Sequence, residues 1–145
     1  MGIPTGVRPT EPASPKQPTD ASGQASSTLA RDYVRHFYLP KREKEGSPYF
    51  WAFVKLYDLV RDEPEHAWRT IEEILRMDSC DAMLAYVAAG PVEDLLVHHG
   101  AEFIERVEEQ AGRDPIFRKM LGAVWRNKIS EDIWKRLKAV AGPPF

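Results

Sequence analysis

The stretch Val87–Gly100, VAAGPVEDLLVHHG, decides the fold. Its Gly90-Pro91 pair predicts that one apolar helix ends at Gly90 and that the next begins at Pro91. Glycine is common at the position that follows a helix, and proline is common in the first turn of a helix. Gly100 is expected to end the second helix in the same way. Adjacent acids and adjacent histidines also lie in this stretch, so we expect an unusual local structure here.

Amphipathic helices are predicted on both sides of this stretch. Apolar residues recur at the spacing of a helix face, and no segment combines the alternation of a strand with hairpin turns. Helix starts are marked by Ser47-Pro48, Glu63-Pro64, Asp114-Pro115 and Ser130. The helix after Ser47 is apolar on most of its circumference, which predicts a central position. The fold class is therefore all-α, a single compact bundle of about seven to eight short helices.

A weak internal repeat predicts how the helices are arranged. The apolar residues of 67–71 recur in 103–107, at a spacing of 36 residues. Such a repeat is typical of stacked helical hairpins that share one core, a HEAT-like or α-solenoid-like arrangement. Chance agreement among amphipathic helices explains the same spacing, and the sequence leaves both interpretations open.

Residues 1–28 differ in composition from the rest of the chain. Their prolines alternate with Ser, Thr, Gly, Ala and Gln, and such a segment buries too little apolar area to offset its loss of entropy on ordering. We predict a disordered Pro/Ser/Thr-rich tail over 1–28 and an all-helical domain over 29–141, with a charged loop at 41–46. For the tail, a Pro-rich ligand of an adaptor groove is the alternative.

Composition excludes several classes of protein. The chain has 145 residues, a formal net charge of −2 and a single cysteine. A net charge near zero argues against binding to nucleic acid or membrane surfaces, and one cysteine excludes an internal disulfide framework. No apolar run is long enough to span a bilayer, and no secretory signal is visible. We expect a soluble, cytoplasmic protein with no nucleic acid partner, no membrane association and no cofactor.

Several short motifs follow one another along the chain. They are W-A-F at 51–53, P-E-x-A-W at 64–68, A-A-G-P-V-E-D-L-L at 88–96, H-G at 99–100, D-P-x-F-R at 114–118 and V-W at 124–125. This order resembles an uncharacterised bacterial domain-of-unknown-function family, over about Tyr33 to Val140. The resemblance implies a small helical bacterial domain with no assigned activity, and it carries over no catalytic residue.

Asp94 and His98 stand four residues apart and share a helix face. A carboxylate and an imidazole on one face can hold a divalent metal or form an acid–base pair. A metal site needs a further ligand, and Glu65, His66 and Glu102 are candidates that the spacing does not select. Alternatively, acids near the start of the helix and histidines near its end complement the helix dipole.

Trp125 and Arg126 also allow two interpretations. Both residue types are enriched at binding hot spots, so the pair can anchor a partner. In the alternative, Trp125 belongs to the core and Arg126 faces water.

Charge is distributed unevenly along the chain. Residues 58–112 contain 14 acidic and four basic residues, a net charge of −10, whereas residues 113–145 contain three acidic and eight basic ones, a net charge of +5. A polarised molecule favours steering toward a protein partner, or head-to-tail self-contact. The alternative is two solvated faces that partly neutralise each other on folding.

These observations favour a non-enzymatic protein–protein interaction module, and a bacterial immunity or accessory protein is one concrete version. No catalytic residue is assigned. The expected partner-binding residues are Glu93, Asp94, His98, Glu102, Glu105, Glu109, Trp125 and Arg126. The alternative is a metal-binding protein or an enzyme that uses the Asp94/His98 helix face. The sequence leaves the oligomeric state open.

We expect the purified protein to carry no stoichiometric divalent metal, because Asp94 and His98 supply only two ligands. Elemental analysis of the metal content tests this expectation. About one zinc or manganese ion per chain, lost on His98→Ala, contradicts it.

Overall fold

The protein is built from helices and loops. A computed structural model describes residues 22–145, and no residue in that range belongs to a strand. The helices are α1 Ser22–Tyr38, α2 Lys41–Lys44, α3 Phe50–Asp62, α4 Pro64–Met77, α5 Asp81–Val87, α6 Glu93–Arg113, α7 Pro115–Leu121 and α8 Glu131–Val140, with a π-helical turn Ala88–Val92 between α5 and α6. The predicted all-α class is confirmed, and stacked hairpins remain a prediction. Over the described range, no helix has the length and apolarity needed to cross a membrane.

Helix α1 begins inside the segment that the sequence assigns to the tail. Residues 1–21 lie outside the described part of the chain, whereas residues 22–28 are helical, so α1 begins seven residues before the predicted start of the helical domain at residue 29. The reason is packing against α4: Ser26 is buried, and its hydroxyl oxygen lies 3.5 Å from that of Thr70. A contact with a residue distant in the chain therefore extends a helix that has little apolar periodicity at its start.

The segment between α1 and α3 differs from the prediction at two points. Residues 41–44 form the short helix α2 instead of a loop, and Pro48 precedes α3 instead of opening it. Ser47 connects the segment to α1, because its hydroxyl lies 3.2 Å from Nδ1 of His36 and accepts the backbone N–H of Tyr49 at 3.1 Å. This short polar side chain stabilises a turn, not a helix start.

Helix α4 places the predicted apolar stripe in the core. The buried stripe consists of Ala67, Trp68, Ile71, Ile74 and Leu75. Helices α1 and α3 pack against α4. On another side, the ring of Trp68 lies 5.7 Å from the ring of Phe103 and 5.6 Å from that of Phe117, measured between centroids. One indole therefore joins α4, α6 and α7.

Asp114 and Ser130 cap α7 and α8, as the sequence predicts. The Asp114 carboxylate accepts the backbone N–H groups of Ile116 and Phe117 at 3.0 and 3.1 Å. The Ser130 hydroxyl accepts that of Ile133 at 3.5 Å. These caps fix the first turns of α7 and α8, the two helices that the loop 122–130 connects.

Helices α1 and α4 each contain a histidine whose side chain is at least partly buried. His36 is 4% exposed, and its ring lies 5.6 and 5.9 Å from the rings of Phe50 and Phe53. Nε2 of His66 is buried and has no hydrogen-bond partner among the described residues. Burial lowers the pKa of both imidazoles, and the positive charges of Lys44 near His36 and of Arg69 near His66 lower it further.

We expect the protein to lose stability as the pH falls through about 6.5, the pKa of histidine in an unfolded chain. With lowered pKa values, both imidazoles stay neutral in the folded protein while those of the unfolded chain take up protons. Their contribution to stability is therefore complete above that pH and is lost below it. Urea unfolding at about pH 7.5 and 5.5 measures the loss, and the double variant His36→Asn, His66→Asn should lose less. An equal loss in parent and variant contradicts this assignment.

Candidate functional site

The chain does not break at Gly90-Pro91. Both residues lie inside the π-helical turn, and α6 follows without a gap, so the predicted helix end at Gly90 and helix start at Pro91 are wrong. Proline removes a backbone donor, and its ring collides with the carbonyl of residue i−4 in a regular α-helix. A wider turn avoids this collision: the N–H of Glu93 donates to the carbonyl oxygen of Ala88, five residues back.

A groove of about 350 Å³ lies beside this turn. Helices α1 and α3, the end of α5 and the π turn form its walls. The lining residues are Tyr33, Phe53, Leu56, Tyr57, Tyr86, Ala89, Gly90, Pro91 and Asp94. The rings pack against each other, with centroid distances of 5.7 Å for Tyr33–Tyr86 and 6.5 Å for Tyr33–Phe53. The groove is therefore mainly aromatic.

Asp94 is the only acidic side chain in the lining of this groove. Among the described residues, no other side chain donates a hydrogen bond to its carboxylate. Burial raises the pKa of Tyr33 well above its usual value, and the nearby Tyr86 and the charge of Asp94 raise it further. Burial also raises the pKa of Tyr86. Both phenols therefore remain neutral, and the groove presents one negative charge on an apolar background.

Helix α3 extends the apolar surface from the groove toward solvent. Phe50, Val54 and Tyr57 are 41%, 41% and 45% exposed, and their spacing places them on one helix face. The opposite face carries the buried residues of α3, for example Leu56 and Leu59. The predicted central position of this helix is therefore wrong. Its excess of apolar residues supplies a second, exposed apolar face.

The structure separates Asp94 from His98. Asp94 lines the groove, whereas His98 lines a different pocket and its Nε2 accepts a hydrogen bond from Nε of Arg61 at 3.3 Å. Of the candidate further ligands, Glu65 pairs with both terminal nitrogens of Arg106. Over residues 22–145, no three His, Cys, Asp or Glu side chains come together in a way that could hold a metal ion.

The kink of α6 lies at His99, one residue before the helix end that Gly100 predicts. His99 has φ −136° and ψ 29°, and the helix then continues to Arg113. The ring of His99 holds the kink, because Nε2 lies 3.0 Å from the Arg61 carbonyl oxygen and Nδ1 lies 2.9 Å from Oε1 of Glu102. Gly100 packs against α8, where an added Cβ would lie 3.0 Å from Cγ1 of Ile133. The helical dihedral angles are therefore interrupted within one residue of the predicted helix end at Gly100, and the missing Cβ of Gly100 leaves room for Ile133.

One of the acidic residues of α6 that are predicted to bind a partner is not exposed. Glu93 is buried, and its Oε2 accepts a hydrogen bond from Nδ2 of Asn127 at 2.6 Å. Glu102, Glu105 and Glu109 are exposed. Folding also neutralises part of the polarised charge, because Arg136 forms a bidentate pair with Glu108, at 2.6 and 2.9 Å, and Lys119 pairs with Asp81 at 2.7 Å.

Trp125 is 73% exposed, so the alternative in which it belongs to the core is wrong. Helix α7 ends at Leu121, and Trp125 follows in the loop 122–130, where the helical periodicity no longer applies. Asn127 adopts a left-handed φ of 44° and binds Glu93, while Nε of Arg126 donates to the carbonyl oxygen of Ile129 at 3.1 Å. The loop thus presents an exposed indole from a backbone that is held at several points.

Sequence reasoning missed the aromatic part of the groove. Tyr33, Phe53 and Tyr86 come from three helices, and nothing in their spacing predicts that they meet. A signal was available in α3, whose apolar residues exceed what one buried face can hold. Of the residues predicted to bind a partner, Asp94 lies in the groove, while Trp125 and Arg126 lie on the loop that Glu93 holds.

A family model described as a family of unknown function (DUF6869) matches residues 40–143. This range contains every residue that lines the groove except Tyr33. The predicted relationship to a family of unknown function is thereby confirmed. No curated protein and no solved structure matches the chain.

We expect Gly90→Ala to stabilise the protein by about 0.5–1 kcal/mol, because glycine in a helix interior costs about that much relative to alanine. No atom lies within 4 Å of a Cβ added at Gly90. The matched variant Gly100→Ala should be destabilised by its contact with Ile133. Urea unfolding of both variants measures the difference. A loss of stability in Gly90→Ala would instead indicate a helix end at this position.

Proposed function

This chain belongs to that family of unknown function, and we propose from its own structure that it is a non-enzymatic protein-binding module. The aromatic groove between α1, α3 and the π turn holds a partner segment that carries a large apolar side chain next to a basic residue. The observation that carries this proposal is a single unpaired carboxylate, Asp94, in an otherwise apolar concave site.

Size and chemistry support the apolar part of this ligand. At about 350 Å³, the groove lies at the lower end of ligand sites, which span roughly 300–1,000 Å³. It therefore suits one or two side chains. The exposed face of Phe50, Val54 and Tyr57 continues the apolar surface, and contiguous exposed apolar surface is typical of interaction sites.

The charge of Asp94 supports the basic part of the ligand. A carboxylate that receives no hydrogen bond from a described side chain is available to a guanidinium or ammonium group. Hydrogen bonds between charged groups are stronger than neutral ones, particularly where water is excluded. The neutral hydroxyls of Tyr33 and Tyr86 add donors that orient the partner but no competing charge.

The separation of Asp94 from His98 favours binding over chemistry at this site. An acid–base pair needs both groups within hydrogen-bond reach of one substrate, yet these two side chains line different pockets. The groove that Asp94 lines therefore does not supply the imidazole that the enzyme and metal-binding alternative needs.

A bacterial cytoplasmic immunity or accessory protein is the biological role that we propose for such a module. HEAT-like stacked hairpins are the scaffold that we propose for it. The exposed acids Glu102, Glu105 and Glu109 are proposed to steer a basic partner toward the molecule, because long-range charge mainly increases association rates.

We expect peptides selected from a random displayed library to share an aromatic or large aliphatic residue next to Lys or Arg. The library is selected for binding to the parent and, separately, for binding to the variant Ala89→Trp. Residue 89 is an exposed position in the lining of the groove, so the added side chain fills the groove. Asp94→Asn keeps the shape and removes the charge, so it should weaken a selected peptide about tenfold.

Met77→Ala is the matched control, because it shortens an exposed apolar side chain that is not in the lining. It should leave peptide binding unchanged. If Ala89→Trp enriches the same peptides as the parent, the groove is not the binding site. If Asp94→Asn binds as tightly as the parent, the carboxylate does not select the basic residue.

A further inference from the structure

We infer that a second copy of this chain occupies the groove, with Trp125 of one protomer inserted between the aromatic walls of the other. This inference rests on the proposed binding function of the groove and names its partner. It follows from two surfaces of one molecule that lack partners within the described residues and have complementary chemistry.

The Trp125 loop has the properties of a binding anchor. Its indole is 73% exposed, and no described residue accepts a hydrogen bond from its Nε1–H. Backbone and side-chain bonds at Arg126 and Asn127 hold the loop in place. At the start of the loop, Gly122 packs under the C-terminal segment, where an added Cβ would lie 2.8 Å from the carbonyl oxygen of Gly142. An anchor held in this way loses little conformational entropy on binding.

The groove supplies what this anchor lacks. Tyr33, Phe53 and Tyr86 provide aromatic faces against which an indole packs. Asp94 provides an acceptor for the indole N–H, or a carboxylate for the terminal nitrogens of Arg126, which bonds to the loop backbone only through Nε. Trp and Arg are the residue types most enriched at hot spots, and here they are adjacent in sequence.

The position of the two surfaces favours a closed dimer. Asn127 of the loop binds Glu93, and the next residue, Asp94, lines the groove. Because loop and groove meet at neighbouring residues of α6, two copies related by a twofold axis can exchange both contacts at once. Such reciprocal contacts give an isologous dimer and not an open chain of molecules.

The dimer should be weak. Two indoles bury about 300–500 Å², well below the roughly 1,600 Å² of a standard stable interface. Sedimentation equilibrium must therefore cover dissociation constants from about 1 μM to 1 mM.

Sedimentation equilibrium of the full chain tests the inference with two variants and one control. The parent should dimerise with increasing concentration. Trp125→Ala removes the anchor, and Ala89→Trp fills the groove, so each variant alone should be monomeric over the same range. Met77→Ala shortens an exposed apolar side chain elsewhere and should dimerise like the parent.

An equimolar mixture of Trp125→Ala and Ala89→Trp provides the decisive measurement. One intact groove and one intact anchor remain in the mixed pair, so a heterodimer should form with an affinity between those of the parent and the single variants. A parent that stays monomeric overturns the inference, as does a dimer that persists in Trp125→Ala or in Ala89→Trp. A mixture that fails to associate overturns it too.

The two proposals fail in distinguishable ways. If the parent is monomeric but selected peptides bind the groove and lose affinity in Asp94→Asn, the groove binds a different partner and only the second-copy inference is wrong. If no peptide distinguishes the parent from Ala89→Trp, the binding function of the groove fails as well.

Discussion

A proline inside a continuous helical segment is the constraint on which the rest of the structure depends. Pro91 cannot donate a backbone hydrogen bond, and its ring excludes the carbonyl that a regular turn would place next to it. The chain responds by widening one turn, so that Glu93 bonds to Ala88, instead of ending the helix. The small residues Ala89 and Gly90 of this wide turn leave open the space that becomes the groove.

Electrostatics then distinguishes Asp94 from the other acids. The acidic segment is strongly charged in sequence, but folding pairs several of its carboxylates with arginine and lysine. Glu108 meets Arg136 and Glu65 meets Arg106, and Glu93 is used inside the molecule to hold Asn127. The carboxylates that remain available to a partner therefore depend less on the total charge of the segment than on which carboxylate faces an apolar surface.

Sequence reasoning predicted correctly the features that depend on residues close together in the chain. The buried stripe of α4 follows from its spacing, and the caps at Asp114 and Ser130 follow from side chains that bond to the next turn. It failed where contacts between residues distant in the chain determine the local structure. Gly90 and Pro91 have the statistics of helix ends, yet α3 and α4 pack against the π turn and the segment stays helical around both residues.

The sequence left two interpretations of Trp125 open for a related reason. Its burial depends on where α7 ends, and an error of a few residues in that boundary moves an indole from the core to the surface. Likewise, the aromatic groove forms from Tyr33, Phe53 and Tyr86, which only the tertiary fold brings together. The motif A-A-G-P-V-E-D-L-L marked the right place in the chain, but not the kind of surface that forms there.

The π turn also sets the rotational register of everything after it. Each residue of an α-helix advances the side-chain direction by about 100°, and a turn that holds an additional residue shifts all later side chains by that angle relative to an uninterrupted helix. In that regular helix, Asp94 would no longer face Tyr33, nor Glu93 face Asn127. A single-residue deletion within Ala88–Val92 would therefore rotate the whole of α6 on its axis, so the number of residues in this turn is constrained as well as their identity.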